Sequence, residues 1–167
     1  MHKATRYHSR MAVRMLKKES YLAAIENAVG TNLFRNLFAL VDSEKKDITK
    51  DGVASCALFV SALLHQFHLL DSATAPHATV AGLERGLQAF GWQLSETISP
   101  GNVLFWERQL QGDMESSHAG FYIGGDRAIS NNWETRVPAE HHHTFGTKED
   151  GNPARAITAI YTYDFES

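Results

Sequence analysis

Cysteine is nearly absent from this sequence, since Cys56 is the only one among 167 residues. A single cysteine excludes an internal disulfide framework and a zinc site built from several cysteines, so packing must hold the fold together. Long apolar runs are absent as well: none approaches the roughly 18 residues of a membrane span, and none follows the N-terminus as in a signal peptide. We therefore expect no transmembrane segment, in a protein that is cytoplasmic or exported by a route that this sequence does not encode.

A large excess of charge of one sign is also missing. The chain has 16 basic and 19 acidic residues, for a formal net charge of −3. We expect no nucleic-acid partner, because binding to a phosphate backbone requires a strongly basic surface. The exception is a basic N-terminal arm, residues 1–19, for which a solvated segment is the simplest interpretation and contact with an anionic surface the alternative. Its basic residues are Lys3, Arg6, Arg10, Arg14, Lys17 and Lys18.

What is present indicates one α+β domain over residues 1–167. The length and the 43% hydrophobic content are sufficient for one core. Apolar residues at helical spacing predict a helical N-terminal part, residues 20–50, and further helices that begin at Cys56 and run from Thr79 to about Gly91. The predicted strands follow, at residues 103–107, 118–123, 127–131 and near the C-terminus. We therefore expect N-terminal helices packed on an antiparallel sheet.

Cys56 stands where a polar turn, "DGVAS", becomes an apolar helix, "CALFVSALLHQF". Unpaired N–H groups and the helix dipole at such a position favour the thiolate, which is the nucleophilic form of cysteine. Because Cys56 also falls on the apolar stripe of the helix, a small core residue is the alternative interpretation. His118 opens a predicted strand after a polar loop. A strand-borne imidazole that faces a helix-borne thiol is the papain-type arrangement.

Three segments resemble, in order, the motifs of NlpC-type peptidases, which are papain-like cysteine hydrolases related to CHAP amidases. They are the cysteine helix "SCALFVSALL", the strand "PGNVLFW" and the hairpin "SHAGFYIGGDRAIS", and the resemblance covers residues 50–133. It implies a papain-like NlpC/CHAP-type fold and a cysteine peptidase or amidase that uses Cys56 and His118 without a cofactor. The implied substrate is an amide bond in peptidoglycan peptides or in a related peptide.

The chain departs from the family around the cysteine: Ser55 replaces the usual Asp, and Ala57 and Leu58 replace the usual Ser-Gly. These departures keep a second function open, a catalytically inactive NlpC-like binding module. Acyltransferases, thioesterases and deamidases of papain-like fold use the same thiol–imidazole pair, so they stay open as well.

The third catalytic position, which would orient His118, has three candidates. Aligned without a gap, the family's third residue falls at Ser130. A three-residue loop over 124–126 would put Ser130 and Asn132 on the face of the sheet that carries His118. A two-residue Gly-Gly loop would instead bring Asn131 opposite His118. The hairpin register therefore decides between Ser130, the favoured candidate, and two amides whose oxygens can accept an imidazole N–H.

Three adjacent histidines, His141, His142 and His143, raise the question of a metal site. Three sequential ligands fit one ion poorly, and the chain lacks the carboxylate–histidine motif of zinc peptidases. We therefore expect no metal, and we expect an exposed or cleft-lining loop in which one histidine could contact substrate.

Overall fold

The computed structural model describes residues 13–74, 76–111 and 114–165. Residues 1–12, which are most of the expected basic arm, lie outside this part of the chain. Helices precede most of the strands along the described residues, which confirms the α+β class. The elements are α1 (Lys17–Asn27), β1 (Phe38–Val41), β2 (Glu44–Asp47), α2 (Cys56–Gln66), α3 (Val80–Phe90), β3 (Gln93–Leu94), β4 (Val103–Gln111), β5 (Met114–Gly124), β6 (Arg127–Asn131), β7 (Pro138–His142) and β8 (Ile157–Thr162).

Six of these strands form one antiparallel sheet in the order β3-β8-β4-β5-β6-β7. The strands predicted at 103–107, 118–123 and 127–131 are confirmed as β4, β5 and β6. β4 and β5 extend beyond their predicted ends, because the two strands continue as a long hairpin past a bulge between Trp106 and Gln109. The predicted C-terminal strand is β8.

A separate two-stranded hairpin, β1 and β2, follows α1. The prediction that residues 20–50 are helical is therefore wrong beyond the end of α1. Asp42 and Ser43 form the turn of the hairpin with φ of 52° and 66°, a left-handed conformation that a helix does not tolerate. Leu40, which suggested a continued helical stripe, is 77% exposed, so the apolar spacing here does not mark a buried face.

Local signals correctly placed the start of α2 and both ends of α3. α2 begins at Cys56, and α3 lies between Thr79 and Gly91. Thr79 Oγ1 accepts a hydrogen bond from the Gly82 N–H at 3.1 Å, and Gly91 ends the helix with φ of 100°. Among the described residues, no helix is both long enough and apolar enough to span a membrane.

The sheet separates a large core from a thin one. On one face, Phe121 of β5 packs edge-on against Tyr21 of α1 and Phe59 of α2, with ring centroids 5.7 and 5.4 Å apart. The other face carries a smaller cluster of Leu104, Trp106, Tyr122 and Ala128. The segment between β7 and β8 covers this second face, where Trp106 Nε1 donates to the His143 carbonyl oxygen at 2.7 Å.

Candidate active site

A carboxylate between two guanidinium groups holds the segment that leads into α2. Asp51 Oδ1 accepts a hydrogen bond from Arg35 Nε at 2.7 Å, and Asp51 Oδ2 accepts one from Arg136 Nη1 at 2.6 Å. The hydrogen bond from Arg35 is the main cause that lowers the pKa of Asp51 to about 2, so the carboxylate is charged at neutral pH. Arg35 precedes β1 and Arg136 follows β6, so Asp51 ties both segments to the approach to α2.

The next residue, Gly52, brings this segment against β6. Its carbonyl oxygen accepts a hydrogen bond from Asn131 Nδ2 at 2.7 Å. Its φ is +89°, and a Cβ there would lie 2.7 Å from the Arg136 carbonyl oxygen, so glycine is required for both conformation and space. These contacts determine where the first turn of α2, and with it Cys56, meets the sheet.

Cys56 is a half-buried thiol at the first position of α2. Burial raises the pKa of the thiol, and the nearby backbone N–H groups of Ala119 and Ala57 lower it by less. The expectation that the helix terminus favours the thiolate is therefore wrong for the resting protein, because burial outweighs the backbone dipoles. The contact with Ala119 places the sulfur beside the backbone of β5 directly after His118.

His118 is a buried imidazole on β5, opposite Trp106 of β4. Its Nε2 lies 2.8 Å from Ser130 Oγ. Burial is the main cause that lowers the pKa of His118 to about 3; the positive charge of Arg155 lowers it further, as does that of His141 at the acid pH where His141 is protonated. The ring is therefore neutral at pH 7, and one of its nitrogens can accept a proton.

The hairpin register is the one that favours Ser130. Ser130 pairs with Gly120, which places its side chain on the face of the sheet that carries His118. The register shifts between Tyr122 and Gly124, and this bulge has the same effect on the pairing as the expected three-residue loop.

The two asparagine candidates use their side chains elsewhere. Asn131 lies on the opposite face of the sheet, where its amide donates to the Gly52 carbonyl oxygen. Asn132 Oδ1 accepts the backbone N–H groups of Glu134 and Thr135 at 2.8 and 2.9 Å. Of the three candidates for the third position, Ser130 is the one that the structure joins to His118.

His141 of β7 extends this contact into a chain of hydrogen bonds. Its Nε2 lies 2.8 Å from Ser130 Oγ, and its Nδ1 lies 2.8 Å from the His142 carbonyl oxygen. Burial lowers the pKa of His141, so the ring is neutral and carries one N–H. A carbonyl oxygen can only accept, so this N–H is at Nδ1, and Nε2 accepts the Ser130 hydroxyl proton.

The same reasoning assigns the proton on His118. Because the Ser130 hydroxyl donates its hydrogen bond to His141, the Ser130 oxygen accepts a hydrogen bond from the Nε2–H group of His118. The second ring nitrogen of neutral His118, Nδ1, then carries a lone pair. The chain from His118 through Ser130 to His141 therefore holds His118 in a tautomer that can act as a base at Nδ1.

The prediction of a loop over the three adjacent histidines is wrong, because His141 and His142 belong to β7. Alternate residues of a strand face opposite sides, so the His141 side chain is separated from that of His142, whereas the rings of His142 and His143 lie 4.6 Å apart. His142 and His143 hydrogen-bond Thr144 and Asp126 in the neighbouring loops. Within the described part of the chain, no group of three or more His, Cys, Asp or Glu residues is arranged to hold a metal ion.

Two cavities meet at His118. The first, of about 230 Å³, contains Cys56, and the second, of about 300 Å³, contains Arg155. Ser130 and His141 also line the second cavity. His118, Asn131 and Trp133 line both cavities. A substrate bound with its carbonyl carbon at Cys56 therefore has space on both sides of His118.

Sequence reasoning missed two residues of this site for different reasons. His141 carries a weak signal, because the segment "PAEHH" is compatible with an edge strand, and strand alternation would have separated the histidines. Arg155 carries none: it lies in an irregular segment before β8, and only tertiary packing brings it to the cavity.

No protein-family model matches this chain, and comparison with curated proteins finds no significant match. The function is therefore inferred from the geometry of the site and from the resemblance of its sequence motifs.

Proposed function

We propose that this chain is a papain-like cysteine hydrolase of the NlpC type, which cleaves an amide bond with Cys56 as nucleophile and His118 as base. One observation carries the proposal: the chain of hydrogen bonds through Ser130 and His141 leaves Nδ1 of His118 unprotonated. His118 and Cys56 line the same cavity, so one substrate can contact both residues.

In the proposed reaction the sulfur of Cys56 attacks the carbonyl carbon while the thiol proton passes to His118 Nδ1. Backbone N–H groups in the first turn of α2 stabilise the negative oxygen that forms. His118 then donates this proton to the leaving nitrogen as the carbon–nitrogen bond breaks, which releases an amine and leaves a thioester on Cys56. Water, deprotonated by His118, attacks the thioester, releases the carboxylic acid and restores the thiol.

The neutral resting state is compatible with this mechanism. Burial favours an uncharged thiol and an uncharged imidazole, so the charged thiolate–imidazolium form arises only as the sulfur attacks. Ser130 supports both forms, because His118 Nε2 donates to it before and after Nδ1 is protonated.

The resemblance to NlpC-type peptidases supports peptidoglycan peptides, or a related peptide, as the substrate class. A catalytically inactive binding module is the second candidate, and the raised pKa of the Cys56 thiol favours it. The two candidates differ in one respect: the hydrolase forms and hydrolyses a thioester on Cys56, whereas the binding module leaves the thiol unreacted.

The test is incubation of the purified protein with peptidoglycan peptide fragments, followed by mass spectrometry of the products. Cys56→Ala and His118→Ala should each lower kcat/KM by a factor on the order of a thousand or more. The double variant should lose little more, because the two residues act as a unit. His142→Ala is the matched control, since the His142 side chain is exposed and only its backbone carbonyl, which the variant keeps, belongs to the hydrogen-bond chain; its activity should equal that of the parent.

Cleavage that persists in Cys56→Ala would contradict the proposal. Binding of fragments without any product would support the inactive module instead. An active His118→Ala together with an inactive His141→Ala would show that the base is His141.

A further inference from the structure

Arg155 is a buried cation for which the proposed reaction has no role. It lies between β7 and β8, and 3% of its surface is exposed. Its Nε donates to the Glu107 carbonyl oxygen at 2.9 Å, and its Nη2 donates to the Ser116 carbonyl oxygen at 2.8 Å. The two carbonyl groups orient the guanidinium but carry no full negative charge to neutralise it.

Among the residues that the structure describes, no carboxylate forms an ion pair with Arg155. The charge of Glu107 acts on Arg155 from a distance, but its Oε1 accepts the Ala156 N–H at 3.0 Å. Glu140 lines the same cavity but is exposed and pairs with Arg127 at 3.3 Å. A buried cation is unfavourable unless its charge is offset, and the Phe145 ring, with its centroid 5.7 Å from the guanidinium carbon, offsets it only in part, so a bound anion would stabilise Arg155.

The position of Arg155 indicates what such a ligand would reach. Arg155 lines the second cavity together with His118, and its charge acts on both His118 and Cys56. An anion bound to the guanidinium would therefore lie beside the reacting groups, in a partly enclosed space where Coulomb attraction is stronger than in bulk water.

We propose that Arg155 forms a carboxylate-binding subsite in the second cavity, so that the substrate carries a carboxylate close to the bond that Cys56 attacks. This inference deepens the proposed function and rests on it for the statement that the ligand is a substrate.

A carboxylate suits this subsite for geometric and electrostatic reasons. A planar guanidinium whose orientation is already set by two carbonyl groups can offer its remaining N–H donors to both oxygens of a carboxylate. A bound carboxylate would also offset the positive charge that, together with burial, lowers the pKa of His118. Binding of the correct substrate would thus make His118 a stronger base during the transfer of the thiol proton.

Two alkylating agents of similar size test the subsite without requiring hydrolysis. Iodoacetate and iodoacetamide both react by attack of the Cys56 sulfur with loss of iodide, and Cys56 is the only cysteine in the chain. We expect the ratio of their rate constants, iodoacetate over iodoacetamide, to be at least about fivefold higher in the native protein than in urea, as one Coulomb interaction across about 4 Å allows even in water.

Arg155→Gln should return this ratio to the value in urea, and Arg155→Lys should retain part of it, since lysine keeps the charge without the planar fork. The matched control is Arg85→Gln, which removes an exposed arginine that lines neither cavity and should leave the ratio unchanged. If Arg155→Gln does not fold, the parent protein alone gives the answer: N-acetylglycine should protect Cys56 from iodoacetamide at lower concentration than N-acetylglycinamide or sulfate does.

An equal ratio in native and unfolded protein would overturn the inference. So would an Arg155→Gln variant in which both rate constants fall together, because Arg155 would then act on the thiol and not on the carboxylate. A raised ratio in a protein that hydrolyses no peptide would support the subsite and refute the proposed function. Hydrolysis with an unchanged ratio would support the function and refute the subsite.

Discussion

At the scale of single residues, Ser130 shows how a weak orienting group becomes a defined one. A hydroxyl can rotate to donate or to accept, so serine alone does not select one imidazole tautomer. Here His141 Nε2 accepts the hydrogen bond of the Ser130 hydroxyl, because His141 Nδ1 carries the ring proton and donates it to the His142 carbonyl oxygen. The lone pair of Ser130 is then directed to His118, and the role of an orienting residue is shared between two side chains.

We expect Ser130→Ala and His141→Ala each to lower kcat/KM by roughly tenfold, the equivalent of one net hydrogen bond. The double variant should lose little more than either single one, because both act through the same contact with His118. The acid limb of the pH profile should also move in both variants, which a purely structural role would not cause. His142→Ala is the control, and a His141→Ala variant with the parent rate and profile would refute the role of His141.

The Cys56 thiol leads to a second prediction at this scale. Burial raises its pKa above the ordinary value for cysteine, about 8.5, so less thiolate is present at pH 7 than in a free peptide. The rate of reaction with iodoacetamide should therefore rise with pH and reach its midpoint above that of the same protein in urea. A native midpoint below the unfolded one would show that the helix terminus outweighs burial.

At the scale of elements, the site depends on how the approach to α2 is attached. Asp51 joins Arg35 and Arg136, and Gly52 joins Asn131, so this segment contacts the chain before β1 and the end of β6. The same attachment positions the first turn of α2 against β5. A helix alone would leave Cys56 free to shift relative to the sheet.

Asp51→Asn should lower the melting temperature at pH 7 and weaken its dependence on acid pH. The pKa of Asp51 is lowered in the folded protein to about 2, so its contribution is complete above the unfolded value, about 3.9, and is lost as the pH falls toward 2. Thermal unfolding between pH 2 and pH 7 measures this for the parent, for Asp51→Asn and for Asp42→Asn. Asp42 is an exposed turn residue and serves as the control; equal acid dependence in parent and Asp51→Asn would refute the expectation.

At the scale of the whole molecule, the two faces of the six-stranded sheet differ in what packs on them. The face under α1 and α2 carries the larger hydrophobic cluster, and the other face carries His118, Ser130 and His141 under the segment before β8. Stability therefore depends mainly on residues that do not touch the second cavity.

Phe121→Ala should lower the free energy of unfolding by about 3–5 kcal/mol, because it leaves a cavity between α1, α2 and β5. Phe121 is fully buried and in ring contact with Tyr21 and Phe59. Urea denaturation gives the value. Leu94→Ala, at a side chain that is 68% exposed on β3, should change it by less than about 0.5 kcal/mol, and a similar loss in both variants would contradict this assignment of the core.

The sequence by itself determined the features that depend on near neighbours. Thr79 and Gly91 delimit α3, the polar turn before Cys56 starts α2, and the glycine-rich hairpin limits the third position to Ser130, Asn131 and Asn132. Each follows from capping, from helical periodicity or from strand alternation, which operate over a few residues.

Only the tertiary structure decided the features that depend on distant parts of the chain. The pairing of β6 with β7 brings His141 to Ser130, and the packing of the segment before β8 brings Arg155 to His118. The tertiary structure also decided whether the pKa of Cys56 is raised or lowered. The position at the start of the helix favours the thiolate, whereas burial favours the thiol, and this burial exists only once the sheet is in place. Pairing and burial join residues far apart in sequence, so no local pattern reports them.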